Sequence, residues 1–104
     1  DPIPPKSYAY CSDTAYSEEI VPQILNTTLL YHEATFLQQH AELALKTMHS
    51  TARQAALIAK KAGVGSLLLG HYSGRYNDYN EFKNQAQEVF SATKLAQDGK
   101  VFEI

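Results

Sequence analysis

The chain has 104 residues, 44% of them hydrophobic and 19% charged, with a net charge of −2 at pH 7. This length and composition fit one folded domain with a real core and exclude a disordered chain. The chain has nine basic and eleven acidic residues and no basic run, so its sequence does not predict a basic surface for nucleic acid. A single cysteine, Cys11, excludes an internal disulfide and suits a reducing compartment such as the cytoplasm. No apolar run reaches the roughly 20 residues that a membrane span requires.

The first third of the chain predicts a loose leader, a strand and a short helix. Residues 1–6 are rich in proline and start with aspartate rather than methionine, which we interpret as a connecting segment of a longer protein. Residues 7–12 alternate aromatic and small side chains, which predicts a strand. A short helix is expected around 18–25, although Pro22 is awkward inside it. We interpret 1–104 as a single domain.

A second strand and a second helix follow. The apolar run 27–31 predicts a buried strand, and the polar residues 32–33 come directly after it. Thr35 and Gln38 match the capping-box pattern, which predicts a helix over 36–46. The predicted apolar side of that helix comprises Leu37, Ala41, Ala44 and Leu45.

The middle of the chain carries the clearest pattern. Thr51 and Gln54 match a second capping box, and Gly63 suits the left-handed end of the helix that they begin. Small side chains recur on one face and let this helix lie close to a sheet: Ala52, Ala55, Ala56, Ala59 and Ala62. The run 66–69 predicts a strand of the kind that is buried on both sides, with His71 just beyond it.

The remaining elements complete an alternating order. A last helix is expected from a cap at Asp78 or Asn80 to about Phe90. The Asp-Gly pair at 98–99 predicts the turn of a short hairpin. Strands that alternate with helices favour an α/β fold with a layered sheet.

Ionisable residues follow three of the predicted strands and open one helix. They are Asp13, Glu33 and His71 at the strands and His49 at the helix. If the strands are parallel neighbours, these side chains meet at the edge of the sheet where α/β proteins place their chemistry. Carboxylate and imidazole groups suit zinc or manganese, and a turn or cap role is the alternative for each residue. Zinc takes three or four protein ligands, so Asp13 and His71 require further ligands from another chain or from sequence not present here.

The evidence for a role in the site is weaker for the other histidines, the cysteine, Arg75 and the tyrosines. His40 is expected to be solvated within its helix, and His32 to be a satisfied buried histidine. Cys11 is expected to be an inert thiol in a strand. Arg75 is a candidate phosphate contact, with a solvated or ion-paired arginine as the alternative. The seven tyrosines are scattered, which favours core edges and turns over base stacking.

Four short motifs, in family order, resemble the closing half of ribonuclease Z, the tRNA 3′-processing endoribonucleases of the metallo-β-lactamase superfamily. The motifs are Ser-Asp-Thr at 12–14, His-Glu-Ala-Thr-Phe at 32–36, His-Ser-Thr-Ala at 49–52 and Gly-His-Tyr-Ser-Gly-Arg-Tyr at 70–76. The resemblance implies half of a metallo-β-lactamase-like αββα sandwich, in which helices flank a β-sheet. It also implies the C-terminal half only, because the family's His-x-His-x-Asp-His cluster belongs to the first half and is absent from this sequence.

The resemblance implies a role for each residue at the predicted edge. Asp13 resembles the aspartate that bridges two zinc ions, and His71 resembles a terminal ligand of the second zinc. His49 resembles the histidine that protonates the leaving oxygen, and Glu33 resembles the acid that orients or tunes it. The full-length parent would be a metal-dependent endoribonuclease with two zinc ions per subunit that removes the 3′ trailer from precursor tRNA. This half would be inactive alone.

Two positions depart from the family pattern, and two alternatives stay open. Met48 stands where glycine is common, and Tyr72 replaces a frequent phenylalanine. The chain could instead belong to another metallo-β-lactamase-type phosphodiesterase or hydrolase, or form a non-catalytic α/β binding module. Without its first half, the sheet would expose an apolar face, which predicts a homo-oligomer.

Overall fold

The fold is a four-stranded parallel sheet with helices on one face, and the computed structural model describes residues 6–11 and 15–96. The strands are β1 (Tyr8–Cys11), β2 (Leu29–Glu33), β3 (Ser66–Gly70) and β4 (Thr93–Leu95). The α-helices are α1 (Ala41–Lys46), α2 (Ala52–Ala62) and α3 (Asn80–Gln87), and Glu18–Gln23 and Gln38–His40 form short 3-10 helices. Most of the leader 1–6, Asp13 and the hairpin turn at 98–99 lie outside the described residues. In the part of the chain that is described, no helix combines the length and apolarity needed to span a bilayer.

The strands lie side by side in chain order, β1-β2-β3-β4, and every pair is parallel. Parallel crossovers are almost always right-handed, so an order without reversals carries every connection over the same face of the sheet. The register pairs Glu33 with Gly70 and Leu69 with Leu95. The carboxyl ends of β2 and β3 therefore reach the same edge, as the sequence predicts.

Helix α2 covers the sheet through the alanine face that the sequence predicts. All five alanines are buried, and the same core cluster contains Leu30, Leu67 and Leu69 of the strands. The capping box is present: the hydroxyl of Thr51 accepts the backbone N–H of Gln54 at 3.1 Å, and the Gln54 amide oxygen accepts that of Thr51 at 2.9 Å. The helix ends at Gly63, whose φ of 66° is left-handed.

The opposite face of the sheet has no helix among the described residues. Tyr8 and Tyr10 of β1 are 64% and 71% exposed, and the Tyr10 ring stacks on Tyr31 with centroids 4.5 Å apart. Leu68 continues this face, half-buried, beside Tyr31 in the register. The strand predicted to be buried on both sides is thus covered on one side. The uncovered side carries tyrosine and leucine side chains, with the exposed Lys94 of β4 beside Leu68 in the register.

The helix predicted over 36–46 is wrong at its start. The Thr35 hydroxyl donates to the carboxylate of Glu33 at 2.7 Å and does not cap a helix. Phe36 pairs with the segment that precedes α2, and Gln38–His40 forms a 3-10 turn before α1 begins. A buried carboxylate two residues away binds the hydroxyl more strongly than a helix terminus does, because charge-assisted hydrogen bonds are the stronger kind.

Three smaller differences concern element ends and faces. Strand β2 runs to Glu33, two residues beyond the predicted end, because its pairing with β3 continues to Gly70. Leu45 was predicted to face inward but is 69% exposed, since α1 has only six residues and one buried position, Ala44. Helix α3 ends at Gln87 rather than near Phe90.

A methyl group at Gly65 would disturb the entry to β3. An ideal Cβ there would lie 2.6 Å from the backbone oxygen of Thr28, which also accepts the N–H of Ser66 at 3.0 Å. We expect Gly65→Ala to lower the free energy of unfolding by about 1–3 kcal/mol, because backbone must move. Gly74→Ala is the matched control, since its Cβ meets no atom within 4 Å. Thermal unfolding of both variants is the measurement, and equal midpoints would contradict the prediction.

Candidate active site

The centre of the site is the carboxylate of Glu33, which is fully buried at the end of β2. Its Oε2 accepts the backbone N–H of Thr35 at 3.0 Å and the Thr35 hydroxyl at 2.7 Å. Its Oε1 accepts the backbone N–H of Ser50 at 2.9 Å and lies 3.0 Å from Nδ1 of His49. A buried carboxylate is tolerated only when its oxygens are hydrogen-bonded, and both oxygens here have two partners.

Backbone contacts hold His49 against this carboxylate. The carbonyl oxygen of Ser50 accepts the N–H of Thr35 at 3.1 Å, and the carbonyl oxygen of Phe36 accepts that of Ala52 at 3.0 Å. The segment before α2 therefore runs alongside the segment after β2. The two motifs, His-Glu-Ala-Thr and His-Ser-Thr, are adjacent in space because their main chains are joined.

His71 enters from the end of β3. Its φ is 63°, a left-handed conformation that histidine tolerates better than most residues. The flanking backbone is pinned to the β2 end, since Gly70 accepts the N–H of Ala34 at 2.8 Å and Thr35 accepts that of Ser73 at 2.9 Å. The exposed His71 ring has its Nδ1 3.1 Å from the Thr35 hydroxyl oxygen and its centroid 5.4 Å from that of His49.

The structure brings three of the four predicted site residues together, while Asp13 lies outside the described residues. Glu33, His49 and His71 each place one possible ligand atom within 4.8 Å of the other two. Groups with this spacing can hold a metal ion. Glu33 does not fit a metal ligand, because four protein groups already contact its oxygens. The exposed imidazole of His71 does fit one, and the described residues supply fewer than the three ligands that zinc requires.

His40 is not the solvated histidine that the sequence suggested. It is half-buried, and its Nδ1 lies 2.6 Å from the hydroxyl of Tyr76, which accepts the backbone N–H of Leu37 at 3.0 Å. This contact ties the loop that carries His71 to the turn before α1. No local signal in the sequence predicts it, because His40 and Tyr76 are 36 residues apart.

His32 is a satisfied buried histidine, as predicted. It is 1% exposed, its Nδ1 lies 2.7 Å from the backbone oxygen of Glu33, and burial lowers its pKa. Cys11 lies in β1, and burial raises the pKa of its thiol, which favours an inert group. Arg75 is exposed and places its guanidinium carbon 5.8 Å from the ring centroid of Phe36. Phe36 in turn lies beside His49, with centroids 6.3 Å apart.

The two departures from the family pattern have structural explanations. Met48 has a φ of 61°, the left-handed region in which glycine carries no steric penalty, directly before His49. The single hydrogen of the Tyr72 hydroxyl is shared between the backbone oxygens of Leu69 at 2.8 Å and Ala96 at 2.9 Å, so it ties the loop after His71 to β3 and to the end of β4. A phenylalanine would lack both bonds.

The parallel sheet, its one layer of helices and its edge site define part of a metallo-β-lactamase fold. The metallo-β-lactamase fold protein YhfI from Bacillus subtilis superimposes with a TM-score of 0.83 and 30% identity, over 90% of this chain and 38% of that one. Human tRNase Z, short form, gives a TM-score of 0.64 and 31% identity, over 81% of this chain and 27% of that one.

In sequence, the chain is similar to proteins named ribonuclease Z. It is 53% identical over 97 residues to ribonuclease Z of Parabacteroides distasonis, a match that covers 93% of this chain. The chain spans about a third of the length of the curated relatives it matches, 32% in this case. It matches no protein-family model.

The strained backbone at Met48 generates a stability prediction. Met48→Gly should leave the free energy of unfolding unchanged or raise it by up to about 1 kcal/mol, since relief of the left-handed strain offsets the added chain entropy. Leu45→Gly is the matched control: Leu45 is as exposed as Met48 but helical, and it should lose about 1 kcal/mol. Chemical denaturation compares the two, and a larger loss for Met48→Gly than for the control would contradict the prediction.

Proposed function

We propose that this chain is the C-terminal half of a zinc-dependent endoribonuclease that removes the 3′ trailer from precursor tRNA. The observation that carries the proposal is the contact of 3.0 Å between buried Glu33 and His49, beside His71 at the carboxyl edge of the sheet. Its 53% identity to a protein named ribonuclease Z supports the same reading. We place the protein in the cytoplasm, where a chain with one cysteine and a tRNA substrate is expected.

Asp13 and His71 are the residues of this chain that would hold metal, and the remaining ligands would come from the first half of the protein. A carboxylate and an imidazole are suitable donors for zinc. Bound zinc supplies Lewis acidity at the scissile phosphate and lowers the pKa of nearby water. Because this chain has no basic run, we expect most contacts with the tRNA body to come from the other half of the protein.

His49 would donate a proton to the leaving group, and Glu33 would support His49 in this role. As water adds to phosphorus and loses a proton to solvent, the bond from phosphorus to the ribose 3′ oxygen breaks, and the Nε2 proton of a cationic His49 passes to that oxygen. Proton uptake from solvent then restores the cationic ring. The products are a tRNA with a 3′ hydroxyl and a trailer with a 5′ phosphate. Glu33, on the Nδ1 side, orients the ring and stabilises its positive charge.

Removal of His49 tests the proton transfer. In the full-length parent, His49→Ala should lower kcat for precursor tRNA by at least about 100-fold, since general acids contribute that much or more. A substrate whose scissile 3′ oxygen is replaced by sulfur should lose much less, because a thiolate leaves without a proton. Leu25→Ala is the control, since Leu25 is exposed and precedes β2, at the opposite end of that strand from Glu33.

Equal losses on the oxygen and sulfur substrates would remove His49 as the acid, and undiminished cleavage of precursor tRNA by His49→Ala would contradict any catalytic role for it. A second candidate function is that of another metallo-β-lactamase-type phosphodiesterase or hydrolase, because the TM-score to YhfI, a protein named only for its metallo-β-lactamase fold, is higher than the TM-score to human tRNase Z. Faster turnover of a small phosphodiester than of precursor tRNA by the parent would support that candidate. A parent without bound metal would favour the non-catalytic binding module.

The uncovered sheet face generates a prediction about assembly. We expect the isolated chain to form dimers or larger assemblies through the apolar face around Tyr10 and Tyr31. Tyr10→Lys should shift it toward the monomer, because burying the ammonium is costly. Leu25→Lys is the control: Leu25 is also exposed, at 54%, but lies in the turn before β2 and not in a strand. Light scattering at several concentrations is the measurement, and a monomeric unsubstituted chain would contradict the prediction.

A further inference from the structure

The hydroxyl of Thr35 lies between the buried carboxylate and both histidines of the site. Its Oγ1 is 2.7 Å from Oε2 of Glu33, 3.3 Å from Nδ1 of His49 and 3.1 Å from Nδ1 of His71. Thr35 is 7% exposed, so its side chain is held in place by the surrounding protein. One oxygen atom thus contacts three chemically important groups that come from three separate segments of the chain.

The number of hydrogens at this oxygen restricts the state of both rings. A threonine hydroxyl has one hydrogen and two lone pairs, and an ionised carboxylate can only accept. At 2.7 Å from the Thr35 oxygen, Oε2 of the Glu33 carboxylate can only accept, so the hydroxyl hydrogen points to Oε2. The lone pairs of the hydroxyl are then left for the two ring nitrogens, and each of those nitrogens must carry a hydrogen to bond there.

We propose that Thr35 is a positioning residue that sets the tautomer of both histidines. It holds His49 and His71 as Nδ1–H imidazoles, and the lone pair of each neutral ring is on Nε2. The Nδ1–H of His49 is shared between the Thr35 hydroxyl and Glu33, while that of His71 is directed to Thr35. Which ring nitrogen of a histidine acts as ligand or base is set by the hydrogen bond that the other nitrogen makes.

The inference rests on the proposed function for its catalytic meaning. An Nδ1–H tautomer places the lone pair of His71 on Nε2, the atom that would ligate a metal, and a hydrogen bond to the other ring nitrogen fixes the orientation of such a ligand. The same tautomer makes Nε2 of His49 the atom that gains and loses the proton during cleavage. Thr35 therefore links the orientation of a metal ligand to that of the proton donor through one oxygen.

Nitrogen NMR of the metal-free chain tests the tautomers directly. With histidine labelled in both ring nitrogens, and at a pH about two units above the ordinary histidine pKa of about 6.5, a protonated and an unprotonated ring nitrogen resonate far apart. We expect His49 and His71 to be protonated at Nδ1. Thr35→Val keeps the shape but removes the hydroxyl, and it should lower the Nδ1–H fraction of His71, whereas Thr35→Ser should preserve it.

Two internal controls separate this effect from a general loss of structure. The Nδ1 of His32 faces a backbone oxygen and should stay protonated in every variant. Thr47→Val removes a hydroxyl that bonds only to backbone oxygens of α1 and should change neither site ring. An Nε2–H form of His71 in the unsubstituted chain would overturn the proposal, even if Thr35→Val does not fold. An unchanged Nδ1–H fraction in a folded Thr35→Val would overturn it as well.

Kinetics of the full-length parent provide an independent readout. Thr35→Val should lower kcat for precursor tRNA by about 10–100-fold with little change in KM, as is typical when a group that hydrogen-bonds a metal ligand is removed, and Thr35→Ser should restore most of it. A fall confined to KM would overturn the catalytic part of the proposal. An unsubstituted parent that does not cleave precursor tRNA would overturn the proposed function instead, while the tautomers measured in the metal-free chain would stand.

Discussion

The structure depends on one constraint: the carboxylate of Glu33 is buried and must be fully hydrogen-bonded. Its partners are Thr35 in its own segment and His49 and Ser50 in the segment before α2, so the two motifs can satisfy it only by lying side by side. Removing one partner from a buried charge costs about 3–5 kcal/mol, a large part of the stability of a small domain. The same bonds that make the burial possible place an imidazole next to an acid.

Strand order makes this arrangement possible at the sheet edge. Because all neighbours are parallel and follow chain order, right-handed crossovers place every helix on one face and bring the carboxyl ends of β2 and β3 together. His71 follows β3 in a left-handed conformation, and its loop is pinned to Thr35. Because the described helices cover one face only, the second face, with stacked Tyr10 and Tyr31, has no helix over it in the described part of the chain.

Residues outside the site hold the loop that carries His71. Tyr76 ties it to Leu37 and His40, and Tyr72 ties it to β3 and β4 through two backbone oxygens. These contacts resist rotation of the loop, which matters because proton transfer and metal binding both depend on distances of a few tenths of an ångström. Tyr72 and Tyr76 therefore support the proposed site by packing and hydrogen bonding.

The sequence by itself determined the elements with local signals: α2 with its capping box, its alanine face and Gly63, the strands, and the polar residues at their ends. It also pointed to Glu33, His49 and His71 as partners, although Asp13 lies outside the described residues. Tertiary structure decided the rest. Thr35 matched a helix cap, yet its hydroxyl serves the carboxylate, and His40 bonds a tyrosine far along the chain, because a buried charge and long-range packing outweigh local propensity. Periodicity reports only neighbours within a few residues, whereas the hydrogen bonds of this site join segments that meet only after the sheet has formed.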